Sequence, residues 1–484
     1  MKKFLVVLLM LVAMNANAQW QPDVRLTNDP AASSVQTKGW SIATNGTVLH
    51  VVWSDKRNGN YEIYYKRSTD AGISWQADTR LTNDINFSYS ASVSVSGSVV
   101  HVVWIDDRDG NWEIYYIRST DAGISWGTET RLTNNSAYSN NPCLAVSGSV
   151  VHVVWDDGRD AVYKNEIYYK RSTDAGLTWQ ADMRLTNDTN RSYRPSVSVL
   201  GSVVHVVWDE LRGFGYYSSD IYYKRSTDAG VSWEVRKRLT YDDEQSDNPS
   251  VAVSGSFLHV AWVDRRGGDY EIYYKRSTDA GLTWGADIRL TNSIAFSLFP
   301  SIAVSGSVVH VVWNDERGAA NVKPEIYYKR STNSGLSWQA DTRLTNDTAN
   351  SYYPSIAVSG SVVHVVWQDN RNGLTEIYYK RNPTGNVGIQ SIGTETPSKY
   401  SLSQNYPNPF NSTSNLKFQI VNSGDVKLVV YDIQGREVQM LVNERLQPGT
   451  YEAAFDASSL NSGVYFYKLI TDGFTDTKKM LLIK

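Results

Sequence analysis

Residues 50–82 read HVVWSDKRNGNYEIYYKRSTDAGISWQADTRLT, and close copies of this stretch fill most of the chain. Its opening histidine returns at intervals of 51 to 54 residues. Short runs of β-branched and aromatic residues, separated by Gly, Asn and Ser, predict short strands joined by tight turns. Apolar residues at the 3.6 spacing of a helical repeat are absent. The repeated histidines, which are all those of the chain, are His50, His101, His152, His205, His259, His310 and His364.

Each copy contains four expected strands, which we name A to D in chain order. In the copy near residue 300, strand A covers 301–305, strand B 308–313 and strand C 325–330, and strand D runs from Trp338 to Thr345. Four strands in roughly 50 residues are typical of one blade of a β-propeller. The repeats therefore predict an all-β fold built from such blades.

The order of the strands predicts how the propeller closes. A strand D around Arg25 precedes any strand A, and the last copy ends with strand C at Arg381. We therefore predict a seven-bladed β-propeller over residues 19–382, with four-stranded blades and the N-terminal strand completing the last blade. Such a clasp leaves no free sheet edge.

A second motif follows strand C. Residues 68–75, Ser-Thr-Asp-Ala-Gly-Ile-Ser-Trp, fit the pattern S/T-x-D-x-G-x-x-W, which the seventh copy has lost. The motif resembles the Asp-box (BNR) repeat of a protein group that includes sialidases. We interpret it as a turn device, in which Asp accepts backbone N–H bonds, Gly supplies a positive φ and Trp packs between blades. The box positions are Asp70, Asp121, Asp174, Asp228, Asp279 and Asn333.

The resemblance to sialidases implies a six-bladed enzyme with three arginines gripping a carboxylate, a Tyr–Glu nucleophile pair and an Asp acid/base. The Arg-Ile-Pro motif of that family is absent, and candidate groups are copied in every blade, whereas catalysis needs unequal groups. We therefore predict no catalytic residue. The alternative is a glycoside hydrolase using two carboxylates, for which Glu210, Asp220 and Glu244 are the candidates.

The turn after strand B carries an acid-x-Arg motif in every copy, and an acid opens strand C. One interpretation is a ring of charged groups around a ligand-binding mouth. The other is a hairpin in which the first acid caps the turn and Arg pairs with the strand-C acid. The arginines are Arg57, Arg108, Arg159, Arg212, Arg266, Arg317 and Arg371.

The copies differ from one another mainly in the D–A and B–C connections, which an antiparallel blade places on one face. We call it the variable face. Its differences are rich in Tyr, Phe and Arg, which favours recognition by loops over unconstrained drift. The candidate ligand-binding residues, besides the seven arginines, are Tyr89, Tyr138, Tyr193, Arg194, Tyr216, Tyr217, Phe299, Tyr352 and Tyr353.

The charge balance and the surroundings of His and Cys exclude some classes of partner and cofactor. Lys and Arg number 47 against 50 Asp and Glu, without a basic run, so we expect no nucleic acid partner. The histidines lack His or Cys neighbours at ligand spacing, so we expect hydrogen-bonded core residues, no metal and no cofactor. Cys143 replaces a serine of the other copies and is expected to be a small buried residue.

The two ends of the chain predict export. Residues 1–18 have a basic start, an apolar run and a small-residue cleavage site, which indicate a signal peptide, and no later stretch is apolar enough to span a membrane. Residues 383–399 are predicted to be a linker, and 400–484 a β-sandwich of about seven strands. A fibronectin-like adhesion module is one interpretation of that sandwich.

The last domain closely resembles the type A C-terminal sorting domain of the type IX secretion system, which implies that machinery as a partner. It also implies transport through the periplasm and outer membrane to the cell surface or the medium, with the domain cleaved or retained. The motif residues that carry the resemblance are Asn405, Tyr406, Pro407, Asn408, Pro409, Phe410, Gly435, Arg436, Gly463, Lys478 and Lys479.

Together these features predict an exported binding module that recognises an extracellular glycan or a surface protein through the variable face. A glycoside hydrolase and a self-associating surface-layer component are the alternatives.

Overall fold

The computed structural model consists of β-strands and turns throughout the part of the chain that it describes. Within that part, no helix is long and apolar enough to cross a membrane. The expected signal peptide, residues 1–18, lies outside the described residues. These are 20–28, 31–35, 40–161, 164–187, 189–212, 218–317, 323–347, 349–360, 362–383, 389–393, 397–411, 413–457 and 460–483.

The repeats form seven antiparallel sheets in the described residues, each ordered A-B-C-D. In the first sheet, strand A is split into two strands. The strands are β1 (Val24–Arg25), β2 (Ser33–Ser34), β3 (Ile42–Asn45), β4 (Val48–Asp55), β5 (Glu62–Ser68), β6 (Thr79–Arg80), β7 (Ser88–Ser96), β8 (Val99–Asp106), β9 (Glu113–Ser119), β10 (Thr130–Arg131), β11 (Ser139–Ser147), β12 (Val150–Ala161), β13 (Lys164–Ser172), β14 (Met183–Arg184), β15 (Arg191–Leu200), β16 (Val203–Leu211), β17 (Ser219–Ser226), β18 (Lys237–Arg238), β19 (Ser246–Ser254), β20 (Phe257–Asp264), β21 (Glu271–Ser277), β22 (Ile288–Arg289), β23 (Ser297–Ser305), β24 (Val308–Asp315), β25 (Glu325–Ser331), β26 (Thr342–Arg343), β27 (Ser351–Ser359), β28 (Val362–Asn372) and β29 (Leu374–Asn382).

Strand D is much shorter than the sequence predicts. In the sixth sheet only Thr342–Arg343 pair with strand C, whereas the expectation was a strand from Trp338 to Thr345. The ladder ends because a threonine side chain takes over the next backbone donor, Ile326 N–H to Thr345 Oγ1 at 2.8 Å. Before the pair, Gln339 N–H still donates to Arg330 O of strand C at 2.9 Å.

The ring is closed by the N-terminal strand, as predicted. Strand β1 pairs with β29 through Val24 with Tyr379 and Arg25 with Tyr378, so the seventh sheet contains both ends of the propeller chain. Leu26 N–H donates to Ile377 O at 2.8 Å, and Arg25 forms an ion pair with Glu376. Each strand A contacts strand A of the next sheet, and β27 contacts β3, which completes the circle.

Neighbouring sheets are joined by a repeated His–Tyr–Trp contact. In the third sheet His152 Nδ1 lies 2.7 Å from the hydroxyl of Tyr169, and Trp233 of the fourth sheet packs edge-on against that tyrosine at 5.1 Å. Burial, with a smaller effect of Arg171, lowers the pKa of His152 to about 4. The histidines are therefore hydrogen-bonded core residues, as expected.

Trp20 supplies the tryptophan that the seventh copy of the box lacks. It packs edge-on against Tyr328 of the sixth sheet at 5.0 Å, as Trp233 packs against Tyr169. The seventh contact is therefore built from the N-terminal segment that also contributes β1, and the clasp restores both the strand and the inter-sheet packing.

The Asp box forms the C–D turn in the expected way. Asp228 Oδ1 accepts the Ser232 N–H at 2.9 Å, and Ser226 Oγ accepts the Gly230 N–H at 2.8 Å. Gly230 has φ +81°, and a Cβ there would lie 1.9 Å from the hydroxyl of Tyr169. The box thus sets the distance between neighbouring sheets, and only glycine fits at this position.

The inner strands enclose an apolar central cavity of about 290 Å³, lined by residues such as Ile42, Val93 and Val251. A serine near the start of strand A bonds to the next sheet, as in Val251 N–H to Ser196 Oγ at 3.1 Å. Cys143 replaces this serine in the third sheet; it is buried, and its Sγ accepts the Val197 N–H at 3.4 Å. This agrees with the expected small buried residue.

The C-terminal domain is a sandwich of two four-stranded sheets, one ordered β30-β35-β32-β31 and the other β34-β33-β36-β37. Its first strand lies inside the predicted linker 383–399, because β30 pairs with β35 and covers an edge of the sandwich. The linker prediction is wrong for those residues. The strands are β30 (Ile389–Gly393), β31 (Ser401–Leu402), β32 (Thr413–Ile420), β33 (Gly424–Tyr431), β34 (Glu437–Leu446), β35 (Gly449–Asp456), β36 (Gly463–Ile470) and β37 (Thr475–Leu482).

The sorting-motif residues surround one end of this sandwich. Asn405 Nδ2 donates to Ser414 Oγ at 2.8 Å and to Pro407 O, and Phe410 is buried in the core. Tyr406 is 81% exposed, although it belongs to the same motif. Arg436 pairs with Asp432 across the turn that contains Gly435, which has φ +77°. Gly463 begins β36, and Lys478 and Lys479 lie in β37.

Candidate functional site: the central mouth

A β-bulge interrupts strand A near the variable face in six of the described sheets. In the fourth sheet Tyr193 is opposite Asp209 and Ser196 opposite Val207, so strand A contains one extra residue. The bulged residue has a positive φ in each of these sheets, with values from 50° to 56°. A left-handed backbone is costly for Arg, Phe or Tyr. The bulged residues are Ser90, Asn141, Arg194, Asn248, Phe299 and Tyr353.

The strand-B residue opposite the residue just before each bulged residue also differs from copy to copy, although the tryptophan before it and the acid after it are repeated. We define the central mouth as the six bulged residues together with these opposite residues. The opposite residues are Ile105, Asp156, Asp209, Val263, Asn314 and Gln368.

Arg194 is the centre of a charged cluster on one side of the mouth. Its Nε and Nη2 both donate to Asp209, each at 2.8 Å, in a bidentate ion pair. Nη2 also lies 3.6 Å from Asp247 Oδ2. Burial alone would lower the pKa of Arg194, but the charges of Asp209 and Asp247 outweigh it and raise that pKa. The guanidinium is therefore a permanent cation that already has its counterions.

Asp156 extends the cluster into the third sheet. Its Oδ1 accepts Asn141 Nδ2 at 2.8 Å and the backbone N–H of Arg194 at 3.1 Å, while Oδ2 accepts Asn165 Nδ2 at 2.9 Å. Asp156 and Asp209 are buried, whereas the side chain of Arg194 is 25% exposed. The cluster thus has a buried acidic base and a polar surface that solvent reaches.

The sixth and seventh sheets give the mouth an aromatic side. The rings of Phe299 and Tyr353 meet edge-on at 4.7 Å, and Tyr352 lies 6.0 Å from Tyr353. All three rings are partly exposed. Because Phe299 and Tyr353 are bulged residues, they occupy the repeat position of Arg194. The mouth therefore presents charged groups on one side and aromatic rings on the other.

Two buried amides of the mouth have atoms without a hydrogen-bond partner among the described residues. Asn314 is fully buried opposite Leu298, the residue before the bulged Phe299, and neither its Oδ1 nor its Nδ2 has a partner. Asn248 is 93% buried, and its Oδ1 has none. Unpaired buried polar atoms are costly, so such atoms at a cavity mouth point to a polar molecule that completes them.

The repeated arginines lie in ion pairs rather than around an open ring. Arg57 Nε donates to Asp55 Oδ1 at 2.9 Å, and its Nη1 contacts Asp78 at 2.7 Å. The expected pairing with the strand-C acid Glu62 is wrong, because Arg80 takes that acid at 2.7 Å. Burial would raise the pKa of Asp55, but hydrogen bonds from Arg57 and Trp53 hold it below its usual value. The same pairing recurs at Arg108, Arg159, Arg266, Arg317 and Arg371.

The fourth sheet departs from this pattern without providing a hydrolytic pair. Glu210 replaces the usual Asp and pairs with Arg236, and Asp220 pairs with Arg212 at 3.0 Å and Arg238 at 2.9 Å. Glu244 is exposed in the D–A connection. Both candidate acids are thus held in ion pairs, and Arg212 pairs with the strand-C acid here as the hairpin interpretation expected. The catalytic role expected for them in the hydrolase alternative has no support in this geometry.

Three other candidates lie on the variable face outside the mouth cluster. Tyr89 packs 4.7 Å from Tyr61 and 5.8 Å from Trp112. Tyr138 is 58% exposed, and Tyr193 is partly buried beside Arg194. Tyr216 and Tyr217 lie outside the described residues. Of the predicted set, the structure therefore brings Arg194, Phe299, Tyr352 and Tyr353 to the mouth.

The acids and amides of the mouth were missed because the copies were compared only in their loops. Asp156, Asp209 and Asn314 lie inside strand B, where the flanking tryptophan and acid are constant. Comparing the copies position by position within strand B would have found them. The described residues contain no group of three or more His, Cys, Asp or Glu arranged to hold a metal ion.

Comparisons with known proteins agree with this architecture. The family described as the secretion system C-terminal sorting domain matches residues 404–484. The chain is 26% identical over 322 residues to a sialidase of Paraclostridium sordellii, covering 54% of this chain and 77% of the relative. It is 24% identical over 254 residues to xyloglucanase Xgh74A of Acetivibrio thermocellus, covering 45% of this chain but only 28% of that protein.

Among solved structures, polysaccharide lyase Uly1 has a TM-score of 0.50 at 9% identity, covering 75% of this chain and 99% of that one. This likeness concerns the fold alone. The sorting domain indicates that the type IX secretion machinery exports the protein to the cell surface or the medium. The chain therefore joins a sialidase-like β-propeller to a C-terminal type IX secretion sorting domain.

Proposed function

We propose that the protein is an exported glycan-binding protein and that the glycan lies in the central mouth. The observation that carries the proposal is the unequal construction of the mouth in an otherwise repeated fold. Arg194 and its acids belong to the third, fourth and fifth sheets, and the rings of Phe299 and Tyr353 to the sixth and seventh. Folding does not require the copies to differ from one another. Residues that differ between the copies at the same strand position therefore favour a role in ligand recognition.

The chemistry of the mouth suits a sugar. A sugar ring has a C–H face that packs on aromatic rings and hydroxyls that bond to charged or amide groups, and binding sites combine such apolar and polar contacts. Phe299 and Tyr353 offer the rings. Arg194, Asp247 and Asn248 offer charge-assisted and amide hydrogen bonds on the other side. The strained backbone at the bulges is consistent with residues kept for binding.

The proposal is tested by applying the full-length protein to a glycan array and repeating the experiment with Tyr353→Ala. We expect selective binding by the unaltered protein and at least about a tenfold loss in the variant. Tyr241→Ala is the matched control, because Tyr241 is 72% exposed in a D–A connection of the same face. Equal losses in both variants, or no glycan bound, would reject the proposal.

A glycoside hydrolase is the second candidate, favoured by three carboxylates, Asp156, Asp209 and Asp247, at positions that are not repeated. Hydrolysis requires two carboxylates with different tasks. Both oxygens of Asp209 accept hydrogen bonds from Arg194, and both oxygens of Asp156 accept hydrogen bonds from asparagine amides. Asp247, which lies 3.6 Å from Arg194, is therefore the acid to replace. The hydrolase is supported if the protein releases reducing sugar from a bound polysaccharide and Asp247→Asn does not.

A further inference from the structure

We infer that the ligand of the central mouth is an uncharged oligosaccharide and that the mouth disfavours glycans that carry carboxylates. The inference rests on the proposed function, since it assigns a ligand class to the same site. It departs from the activity implied by the resemblance to sialidases, in which arginines grip a carboxylate.

The charges of the mouth cluster are mainly negative. Asp209 and Asp247 contact the guanidinium of Arg194, and Asp156 accepts the backbone N–H of the same residue. That cation donates twice to Asp209 and lies within ion-pair distance of Asp247. A ligand carboxylate would have to share the Arg194 guanidinium with Asp209, which is fully buried and has its counterion there. Leaving a buried charge unpaired is strongly unfavourable.

The repeated arginines of the variable face do not supply a free cation either. Arg266 contacts Asp264, Asp242 and Asp287, all within 3.0 Å. Arg371 contacts Asp369, Asp23 and Asp347 within 2.8 Å. Arg212 lies between Asp220 and two backbone carbonyls. Around each of these arginines the carboxylates are at least as numerous as the guanidinium groups.

The acidic character reaches the aromatic side as well. Burial raises the pKa of Tyr352, and the nearby charge of Glu316 raises it further. At the rim, burial with smaller effects of Tyr61 and Asp107 raises the pKa of Tyr89 to about 12. Tyr352 thus lies near the charge of Glu316, and Tyr89 near that of Asp107.

Hydroxyl groups satisfy this arrangement better than a carboxylate does. Sugar hydroxyls donate to carboxylates such as Asp247 and also accept from amides. The unpartnered Oδ1 of Asn248 needs a donor, and the Asn314 amide needs both a donor and an acceptor. A carboxylate has only acceptors, so it could satisfy the Asn314 Nδ2 but neither of the amide oxygens.

The test uses the full-length protein and isothermal titration at low and at physiological salt. The uncharged probes are xylo-, manno-, arabino- and cello-oligosaccharides, and the acidic probes are sialyllactose and oligogalacturonate. We expect an uncharged probe to bind at least about tenfold more tightly than either acidic probe at low salt. The difference should shrink as salt screens the repulsion.

A pair of variants isolates the charge. Asp247→Asn removes one acid of the cluster and should improve the affinity for an acidic probe, relative to the uncharged one, at least about threefold. Asp243→Asn is the matched control, since that side chain is fully exposed in the D–A connection and should leave the ratio unchanged.

The outcomes separate the two proposals. Preference for an acidic glycan, lost in Arg194→Lys, would overturn the ligand class and leave glycan binding in the mouth intact. An unchanged ratio in Asp247→Asn would likewise overturn the role given to the acids. Binding of neither probe class would overturn both proposals.

Discussion

The contact between the Asp box and the preceding sheet allows a quantitative prediction for Gly230→Ala. The new Cβ would lie 1.9 Å from the hydroxyl and 2.6 Å from Cζ of Tyr169. That tyrosine cannot simply withdraw, because it is buried, bonded to His152 at 2.7 Å and packed against Trp233. The substitution must therefore break a buried hydrogen bond in addition to straining the backbone.

The two costs add up to a large destabilisation. A left-handed backbone costs an alanine about 1 kcal/mol relative to glycine. Loss of the Tyr169–His152 hydrogen bond with its groups still buried costs about 2 kcal/mol more. We therefore expect Gly230→Ala to lower the free energy of unfolding by about 3 kcal/mol.

Gly201→Ala is the matched control in the same sheet. Gly201 has φ +60°, but no atom lies within 4 Å of the site of its Cβ. Only the backbone cost of about 1 kcal/mol is expected there. Urea unfolding of the full-length protein, followed by tryptophan fluorescence, compares the two variants. Equal destabilisation would refute the idea that the box spaces the sheets through this contact.

Three further predictions concern the clasp, the histidines and the mouth. Trp20→Ala should lower the free energy of unfolding by about 2 kcal/mol, because the half-buried ring that packs against Tyr328 is lost. An unchanged urea midpoint would contradict the role of Trp20 in the clasp. Folding lowers the histidine pKa values, for example that of His259 to about 3, below the unfolded value near 6.5. The free energy of unfolding should therefore be highest above about pH 6.5 and fall as the pH drops toward 4, by up to about 1.4 kcal/mol per pH unit for each histidine. A urea midpoint that stays constant between pH 7 and 4.5 would contradict this. Tyr353→Asn should weaken glycan binding at least about tenfold while the urea midpoint stays the same, since asparagine tolerates the φ of 51° at that residue, and a lower midpoint would indicate a structural role instead.

The propeller could be predicted from the sequence because its determinants are local and repeated. Alternating strand residues, the turn glycines and the phase of the Asp box each point to the same blade. The clasp followed from the unmatched strand at Arg25, and the structure pairs that residue with Tyr378. The role of Trp20 could have been found in the same way, by asking which residue replaces the missing tryptophan of the seventh box.

Contacts that depend on which of several partners a side chain bonds to could not be predicted from the sequence. Arg57 has two acids nearby in sequence, and only the geometry shows that it pairs with Asp55 and leaves Glu62 to Arg80. The shortness of strand D depends on a threonine hydroxyl that takes a ladder position. The bulge is equally hidden, since one extra residue in strand A hardly disturbs its pattern.

The mouth was only partly predictable for the same reason. Arg194, Phe299 and Tyr353 differ visibly between the copies and lie near the loops. Asp156, Asp209 and Asn314 lie within strand B, and their significance depends on the bulge that follows their partners in strand A. Sequence comparison within the chain thus identifies the variable face, while the chemistry of the proposed site requires the strand register.

A crystal structure of the full-length protein with its tightest uncharged oligosaccharide would test the location of the site most directly. We predict a sugar ring packed on Phe299 or Tyr353, with hydroxyls hydrogen-bonded to Asp247, Arg194 or the amides of Asn248 and Asn314. A glycan bound beside the Asp-box turns, on the face opposite the variable face, or bound only near Trp112, would contradict the assignment of the central mouth as the binding site.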